Sequence, residues 1–455
     1  MRIFVIVWSG QFVSTIGSYM TSFAITLWAW QLTDQATALT LIVFFNQAAS
    51  LLVAPFAGVI VDGLRPIFGQ RWSRKQLIIL SDTVAALSTV AILLLHLTGH
   101  LQVWHFYITS AINGIFSNIQ ELAFSTSIAL MLPKQHYTRA SSMVSMLHYG
   151  PSIFAPALAG VLYYIIGLFG ILWIDLFTFS IAIFTVLRTQ IPQPVVSETQ
   201  LQNQASLWQD ISSGFRYVFA RPGLFTLLVI SLLFWFAHDL GGSLYSAMIL
   251  ARSNNNAAIL ASLSTMAGVG GVIGAIAVSI GGGFRQKIHA FLGGMIGAGI
   301  SKTLFGLGQL PSIWLPAQFC SSLNFPLLGS SSEAIWLAKI KPEIQGRVFA
   351  TRSLLLVLIS TIAALIAGPL ADFVFEPAMM PGGYLAKTFG GIFGTGSGAG
   401  MALLYVITSV TLMLVGMGGY AVESLRMVEM NVSDHDTDQQ AALSNSNCER
   451  EADRT

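Results

Sequence analysis

The 455-residue sequence contains little charge and almost no cysteine. Asp, Glu, Lys and Arg together make up 9% of the residues, and there are 2 cysteines. Soluble domains average roughly 25% charged residues, so ordinary soluble domains are excluded, because too little charge remains to cover their surfaces. Cys320 lies in an apolar stretch and Cys448 in a polar tail. These surroundings differ too much to predict a disulfide or a metal site.

Long apolar stretches take the place of the missing charge. Hydrophobic residues make up 54% of the chain, and the mean hydropathy is +0.70. Twelve stretches are each long enough to cross about 30 Å of hydrocarbon as a helix, and none alternates as the strands of a membrane barrel do. The sequence therefore predicts an all-α membrane protein with twelve spans: Ile3–Trp30, Leu39–Val61, Gln76–Leu97, Val103–Leu132, Ala140–Ile166, Leu168–Leu187, Gly223–Leu250, Ala257–Ile280, His289–Gly308, Ser312–Ala338, Val348–Ala371 and Gly398–Tyr420.

The basic residues are distributed unevenly between the loops. With the amino terminus placed in the cytoplasm, all 22 lysines and arginines except Arg252, Lys387 and the intramembrane Lys302 fall in cytoplasmic segments. Such a bias sets the orientation of a membrane protein. The chain start has no small-residue cleavage site, which predicts an uncleaved first span. We expect a multi-pass protein of the plasma (inner) membrane with both termini in the cytoplasm.

Polar segments divide the chain into four regions. Residues 1–190 are predicted to form a six-helix half, 191–222 a cytoplasmic linker, 223–424 a second six-helix half and 425–455 a disordered cytoplasmic tail. Within the linker, apolar residues recur at helical spacing and predict an amphipathic helix on the membrane face: Leu207, Trp208, Ile211, Phe215 and Val218.

A motif after the second span carries the first family resemblance. Gly58, Asp62, Arg71, Arg74 and Lys75 match the pattern G-x-x-x-D-R-x-G-R-R/K if the eight residues after Asp62 are an insertion. Two six-span halves related as parallel repeats, together with this motif, resemble the major facilitator superfamily. In that superfamily the loop forms a gate at the cytoplasmic end, which implies a conformational role for these residues. The alternative is that the basic residues only anchor the chain at the inner face.

Further segments extend the resemblance across nearly the whole chain. In the fifth span, Pro156 and Gly160 match the antiporter pattern GP-x-x-GG, and the sequence QGRVFA at 345–350 resembles the drug- and macrolide-efflux branch, which also contains siderophore exporters. The resemblance implies a secondary transporter that exports a small compound in exchange for protons by alternating access.

Polar residues follow one face of the first, fourth, seventh and tenth spans. In the superfamily fold these four spans line the central cavity, so the resemblance places the stripes on the substrate pathway. The members are Gln11, Ser14, Ser18 and Ser22; Asn113, Ser117, Glu121 and Ser125; Ser231, Trp235, His238, Asp239, Gly242, Ser243 and Ser246; and Gln318, Ser321, Ser322 and Asn324.

Two carboxylates lie near the middle of these spans, Glu121 in the fourth and Asp239 in the seventh. An unpaired charge in the membrane is costly, which favours the protonated form of such a group. A carboxyl group of this kind can carry a proton across the membrane. When ionised it can bind a cationic drug, with Trp235 as a cation–π contact and His238 as a titrating neighbour. The alternative is a structural hydrogen bond between helices.

The other charges inside the membrane have predicted structural roles. Asp82 and Glu333 lie close enough to the inner face to reach basic loops, Asp175 is expected to pair with another helix, and Lys302 has no partner that the sequence identifies.

The sequence contains no Ser–His–Asp order, zinc-ligand spacing or ATP-binding domain, so no enzymatic activity, metal or cofactor is expected. The expected partners are a small-molecule substrate, protons and the lipid bilayer; no nucleic acid is expected, and the protein is predicted to be a monomer. The favoured prediction is a proton-coupled exporter of drugs, macrolides, siderophores or peptide-like metabolites. An importer or uncoupled facilitator is the main alternative, and a non-transporting receptor is a third.

Overall fold

In a computed structural model the chain forms a bundle of long α-helices. Residues 1–61, 72–190, 207–281 and 286–431 are described, and these ranges contain no β-strand. The helices are α1 (Arg2–Thr33), α2 (Ala36–Val61), α3 (Arg74–Leu97), α4 (Val103–Met131), α5 (Tyr137–Arg188), α6 (Leu207–Phe219), α7 (Pro222–Arg252), α8 (Ala257–Gly281), α9 (Lys287–Leu307), α10 (Pro311–Lys339), α11 (Pro342–Leu370), α12 (Glu376–Met379), α13 (Ala386–Phe393), α14 (Ala399–Ala421), α15 (Glu423–Arg426) and α16 (Val428–Asn431). A 3₁₀ turn precedes α5 and a π-helical turn, Ala371–Phe375, joins α11 to α12.

Most of the long helices match predicted spans. Nine helical segments within the described ranges are long and apolar enough to cross a membrane. Helices α4 and α10, of 29 residues each, are as long as the others but contain more polar residues. Helix α5 covers the fifth and sixth predicted spans, and it breaks between them at Gly167, whose φ of 62° suits glycine far better than other residues. The fold is an all-α membrane fold as predicted, and the count of twelve spans stays a prediction.

The bundle has two ends that differ in charge. One end, called the basic end here, carries the starts of α1 and α3 and the ends of α5 and α10. The other, the opposite end, carries the ends of α1, α3 and α7. Since Arg74, Arg188 and Lys339 lie at the first, it corresponds to the predicted cytoplasmic side.

The two halves meet along the helix pairs α2–α11 and α5–α8. Glycine permits the close approach in both pairs. A Cβ atom added at Gly368 of α11 would overlap Thr37 and Thr40 of α2, and one added at Gly160 of α5 would overlap Ala261 of α8. Small residues at such contacts let helix backbones pack closely in a membrane.

The apolar core is shared at one end only. At the opposite end, a single cluster of buried side chains includes residues of both halves, among them Trp30, Phe106, Phe305 and Trp314. At the basic end, each half has its own cluster, around Phe4 and Leu77 in one and around residues of α7, α9 and α10 in the other. The halves are therefore packed together at the opposite end and less so at the basic end.

Carboxylates bind the amino termini of three helices. Asp372 accepts hydrogen bonds from α2, Glu376 from α14 and Glu429 from α9, with N···O distances between 2.7 and 3.3 Å. The first N–H groups of a helix lack partners within it, and the helix dipole favours negative charge at that end. Among these three contacts, the one made by Asp372 joins the two halves.

The linker and the tail both contribute helices. Helix α6 packs against α11, where Gly214 lies against Thr351. The tail was predicted to be disordered from residue 425. Residues 425–431 instead belong to the helical segment of α15 and α16. Leu425 is fully buried and Glu429 binds α9, so apolar and polar contacts both order this segment. Residues 432–455 lie outside the described ranges.

Candidate functional site

A polar cavity of about 350 Å³ lies inside the amino-terminal half, between α1, α2, α3, α4 and the last third of α5. The predicted stripes of α1 and α4 contribute Gln11, Ser14, Ser18, Ser22, Asn113 and Ser117 to its wall. Two carboxylates, Asp82 and Asp175, also line it, and none of the lining residues is Lys, Arg or His. The cavity is therefore acidic and rich in hydroxyl and amide groups.

Asp82 of α3 is 2% exposed and is held by two amides. Gln11 Nε2 donates to Asp82 Oδ2 over 2.9 Å, and Gln120 Nε2 donates to Asp82 Oδ1 over 2.6 Å. Gln120 also lies 3.0 Å from Gln11 Oε1. This corrects the expectation that Asp82 reaches a basic loop. The side chain points between α1 and α4, where neutral donors stabilise it through charge-assisted hydrogen bonds.

Asp175 of α5 forms the second buried acidic centre of the cavity and is also 2% exposed. Thr89 of α3 donates to its Oδ2 over 3.1 Å, and Ser18 of α1 lies 3.4 Å from its Oδ1. The close approach of α1 depends on Gly17, because a Cβ atom there would meet Thr178 and Asp175. Asp175 thus links three helices through hydroxyl donors.

Some oxygen atoms in the cavity wall have unused hydrogen-bonding capacity. Ser81 is 1% exposed, and its Oγ has no hydrogen-bond partner within the described residues. The same holds for the buried Oδ1 of Asn113. Buried polar atoms are nearly always paired in native proteins, so unpaired oxygens around a cavity indicate capacity to bind a ligand or water.

The carboxy-terminal half contains a separate cluster of titratable side chains. His238 Nδ1 and Asp239 Oδ1 are 3.0 Å apart on α7. Lys302 of α9 is buried, interacts electrostatically with Asp239 and donates to the Tyr405 hydroxyl over 3.3 Å. The partner of Lys302 that the sequence did not reveal is thus Tyr405 on α14, with Asp239 nearby.

Aromatic rings surround this cluster. The imidazole of His238 lies 5.1 Å from the ring of Trp235 and 4.9 Å from the ring of Phe325. The Lys302 ammonium is 5.9 Å from the Phe325 ring. Three of the predicted pathway residues, Trp235, His238 and Asp239, are therefore brought together, and Phe325 of α10 joins them.

The other two predicted pathway residues are Glu121 and Gln318. Glu121 is exposed on α4 and interacts electrostatically with Tyr19 of α1. Gln318 of α10 is half-buried and lies 3.5 Å from Ser322 of the same helix.

The predicted cytoplasmic gate is described in part. Gly58 lines a second cavity, also of about 350 Å³, which separates α2 and α4 from α11 at the basic end. Arg74 donates to the Thr126 carbonyl over 2.9 Å, and Lys75 donates to the last carbonyls of α5 over 2.9 and 2.7 Å. These contacts fall within the amino-terminal half. Asp62 and Arg71 lie outside the described ranges, so the gate stays a prediction.

The residues of the predicted antiporter motif lie where the halves touch. Pro156 is buried within α5, and Gly160 faces Ala261 of α8. Gly160 therefore belongs to the α5–α8 contact, and Pro156 is a buried residue one turn before it on α5.

Hydrogen bonds join the halves at the opposite end. Asp372 of the π-helical turn accepts from Ala36 N over 3.0 Å and from Thr37 N over 2.7 Å. Trp30 Nε1 donates to Asn255 Oδ1 over 2.6 Å. A backbone N–H at the start of α8 donates to the Tyr164 hydroxyl over 3.0 Å. Together with the shared core, these bonds close the opposite end.

Sequence reasoning did not identify the acidic cavity. Asp82 and Asp175 were given structural roles, and Gln120 was not singled out because it lies beside the predicted stripe of α4 rather than on it. A usable signal was present: Ser81 and Ser88, and likewise Asp82 and Thr89, are seven residues apart on the same span, which is two helical turns. An acid with such neighbours in a membrane helix is itself a functional indication.

Comparison with known proteins agrees with this architecture. The sequence matches the model of the Major Facilitator Superfamily over residues 7–364. Macrolide efflux protein A of Streptococcus pyogenes is 24% identical over 371 residues, which cover 81% of this chain and 89% of the relative. Macrolide efflux protein A of Enterococcus faecalis is 25% identical over 300 residues, or 65% of this chain and 89% of the relative.

The fold is also similar to a solved transporter. The crystal structure of the nucleoside transporter NupG aligns with a TM-score of 0.70 at 11% identity, over 92% of this chain and 99% of that one. At this identity the likeness concerns the fold alone. Because the family model spans more than half of the sequence, the chain belongs to the Major Facilitator Superfamily, and it is a multi-pass membrane transporter.

Proposed function

We propose that the protein exports small amphipathic compounds of the macrolide type in exchange for protons, by alternating access. The observation that carries this proposal is the similarity to two macrolide efflux proteins over most of the chain. The polar and aromatic side chains inside both halves support it, since a substrate with both polar and apolar parts finds matching contacts there.

The conformation fits one step of such a cycle. The halves share an apolar core and hydrogen bonds at the opposite end, and a cavity separates α2 and α4 from α11 at the basic end. With the basic end in the cytoplasm, this is the inward-facing state, which admits compounds from the cell. Both termini then lie in the cytoplasm.

The Asp239 cluster is the proposed proton carrier. Asp239 is bonded to His238, and its charge is partly balanced by the buried Lys302. A proton that binds to or leaves this group changes the net charge of a site shared by α7 and α9, with Tyr405 of α14 as a neighbouring hydrogen-bond partner. Such a change alters the free energy of one conformation relative to the other. Glu121, exposed on α4, is a second candidate.

Proton release from inside-out vesicles tests the proposal. Vesicles that contain the protein receive a preset pH gradient, and a panel of macrolides, other drugs and siderophores is added while an internal pH dye is read. Exchange predicts that an exported compound dissipates the gradient. If no compound of the panel changes the gradient, proton coupling is refuted. If intact cells accumulate the compounds instead of losing them, the direction is refuted and an importer is favoured.

Single substitutions locate the proton carrier. Asp239→Asn is expected to abolish compound-induced proton movement, and Glu121→Gln is expected to reduce it if Glu121 takes part. Asp34→Asn is a matched control, because Asp34 is an exposed acid at the opposite end. Full proton movement in both Asp239→Asn and Glu121→Gln would remove these residues from the mechanism.

A further inference from the structure

We propose that the acidic cavity of the amino-terminal half binds the protonated amine of the transported compound, so that the preferred substrates are amphipathic organic cations. This assignment rests on the proposed export function and adds the class of substrate. It concerns a different set of residues from the Asp239 cluster, namely those around Asp82 and Asp175.

The charge of the cavity favours a cation. Asp82 and Asp175 are both 2% exposed, and the lining contains no basic side chain. Their described hydrogen-bond donors, such as Gln11 and Thr89, are neutral. Two buried acids without a counter-charge favour their protonated form, and a bound cation stabilises the ionised carboxylates instead. An anionic ligand gains no such stabilisation from either acid.

The unpaired atoms in the wall favour a ligand that donates hydrogen bonds. Asn113 Oδ1 is a carbonyl oxygen and can only accept, and it has no partner within the described part of the chain. Ser81 Oγ is buried beside Asp82 and is also unpartnered. An alkylammonium group supplies both the positive charge and the N–H donor that these oxygens lack.

The size of the cavity favours an organic group over a bare ion. Its volume of about 350 Å³ is near the lower limit of pockets that hold drug-sized ligands, roughly 300 to 1,000 Å³. The described residues contain no group of three His, Cys, Asp or Glu side chains that could hold a metal ion. A polar head group of a larger molecule fits this space.

The cavity is also accessible from outside its half. Ser22, Tyr19 and Ser117 belong to its lining and are exposed. A substrate can therefore insert its amine past these residues while the apolar remainder of the molecule stays outside the cavity. An amphipathic cation is the molecule that has both parts.

The experiment compares two ligands that differ in one charge. Erythromycin carries a dimethylamino group that is protonated at neutral pH, and its N-oxide is neutral there. Binding of each to the purified full-length protein in detergent is measured by calorimetry for wild type and for Asp82→Asn, Asp175→Asn and Ser81→Ala. Asp34→Asn is the matched control, and a melting curve is recorded for every variant.

The expected pattern separates binding from folding. Wild type binds erythromycin at least tenfold more tightly than the N-oxide, and each Asp→Asn change weakens erythromycin binding by about 10-fold to 100-fold with little effect on the N-oxide. Ser81→Ala weakens erythromycin binding by about threefold to tenfold. Its melting temperature does not fall, because the Ser81 hydroxyl has no partner in the protein. Asp34→Asn behaves as wild type.

Several results would overturn the assignment. Recognition of the amine is excluded if wild type binds the two compounds with equal affinity or binds neither. It is also excluded if the Asp variants lose affinity for both compounds equally. Weaker erythromycin binding in NaCl than in KCl of equal ionic strength would indicate a sodium site instead. If an Asp→Asn variant fails to fold, the assignment is still tested by the two affinities of wild type and by the affinity of Ser81→Ala for erythromycin. Absence of any compound flux in vesicles refutes the export function, whereas unchanged flux and binding in all three variants refutes the cavity assignment alone.

Discussion

Asp372 is expected to hold the opposite end of the transporter closed. It lies between α11 and α12, and its two carboxylate oxygens accept hydrogen bonds from Ala36 N and Thr37 N at the start of α2, over 3.0 and 2.7 Å. Since α2 and α11 belong to different halves, both bonds must break when that end opens. Removing them should shift the equilibrium between conformations.

The magnitude follows from the chemistry of the contact. A hydrogen bond to a charged group contributes about 1.5–3 kcal/mol, and a charge at a helix terminus adds about 0.3–1 kcal/mol. Asp372→Asn keeps one neutral acceptor and loses the charge, so we expect the closed state to lose about 2 kcal/mol in total. A change of this size multiplies the ratio of open to closed molecules by about 30.

Distances between spin labels can measure this shift. His100 and Lys387 are exposed at the opposite end, one in each half, and can be replaced by labelled cysteines after Cys320 and Cys448 are changed to serine. We expect pulsed electron paramagnetic resonance to show two distances between the labels, the longer one from molecules with the opposite end open. The fraction of molecules with the longer distance should be much larger for Asp372→Asn than for wild type.

Two controls make the result specific. Asp372→Glu keeps the charge and should retain most of the closed population, and Asp34→Asn removes an exposed acid at the same end without breaking a contact between halves. If Asp372→Asn gives the same distance distribution as wild type, the carboxylate does not stabilise the closed end and the reasoning from these two bonds is wrong.

Three further predictions follow from the packing. Gly160→Leu should abolish transport in vesicles, because any side chain at Gly160 overlaps α8. Gly271→Ala on α8 should be tolerated, because no atom lies within 4 Å of the added Cβ. An active Gly160→Leu variant would contradict the close α5–α8 contact. Lys302→Met should retain a folded protein but lose compound-induced proton release, since the positive charge beside Asp239 is gone; unchanged release would exclude Lys302 from coupling. Deleting residues 432–455 should leave transport intact, and loss of transport on deletion would contradict this prediction. Glu429→Gln should lower the stability by about 0.5–2 kcal/mol through the weakened cap of α9, and an unchanged stability would exclude this cap as a contributor.

The residues of the candidate sites were predictable to different degrees. Trp235, His238 and Asp239 lie on one helix, so their proximity follows from helical spacing, and they do form one cluster. Gln11 was predicted to line the pathway, which stays a prediction; the sequence did not indicate that its amide is bonded to Asp82 of α3. Helical spacing gives the face of a helix, and it does not give the neighbouring helix that this face contacts.

By itself, the sequence determined the class of protein. Its low charge and long apolar stretches required a helical membrane protein, because hydrophobicity and helical length act locally and need no knowledge of neighbours. The resemblance of its motifs to a transporter superfamily added the expected function. The tertiary structure alone decided which polar groups meet. The amide of Gln120 reaches Asp82, the hydroxyl of Tyr405 reaches Lys302, and Asp372 caps a helix that starts 336 residues earlier in the chain. A buried polar group in the membrane is costly without a partner, and packing between helices that are distant in sequence decides which partner it meets.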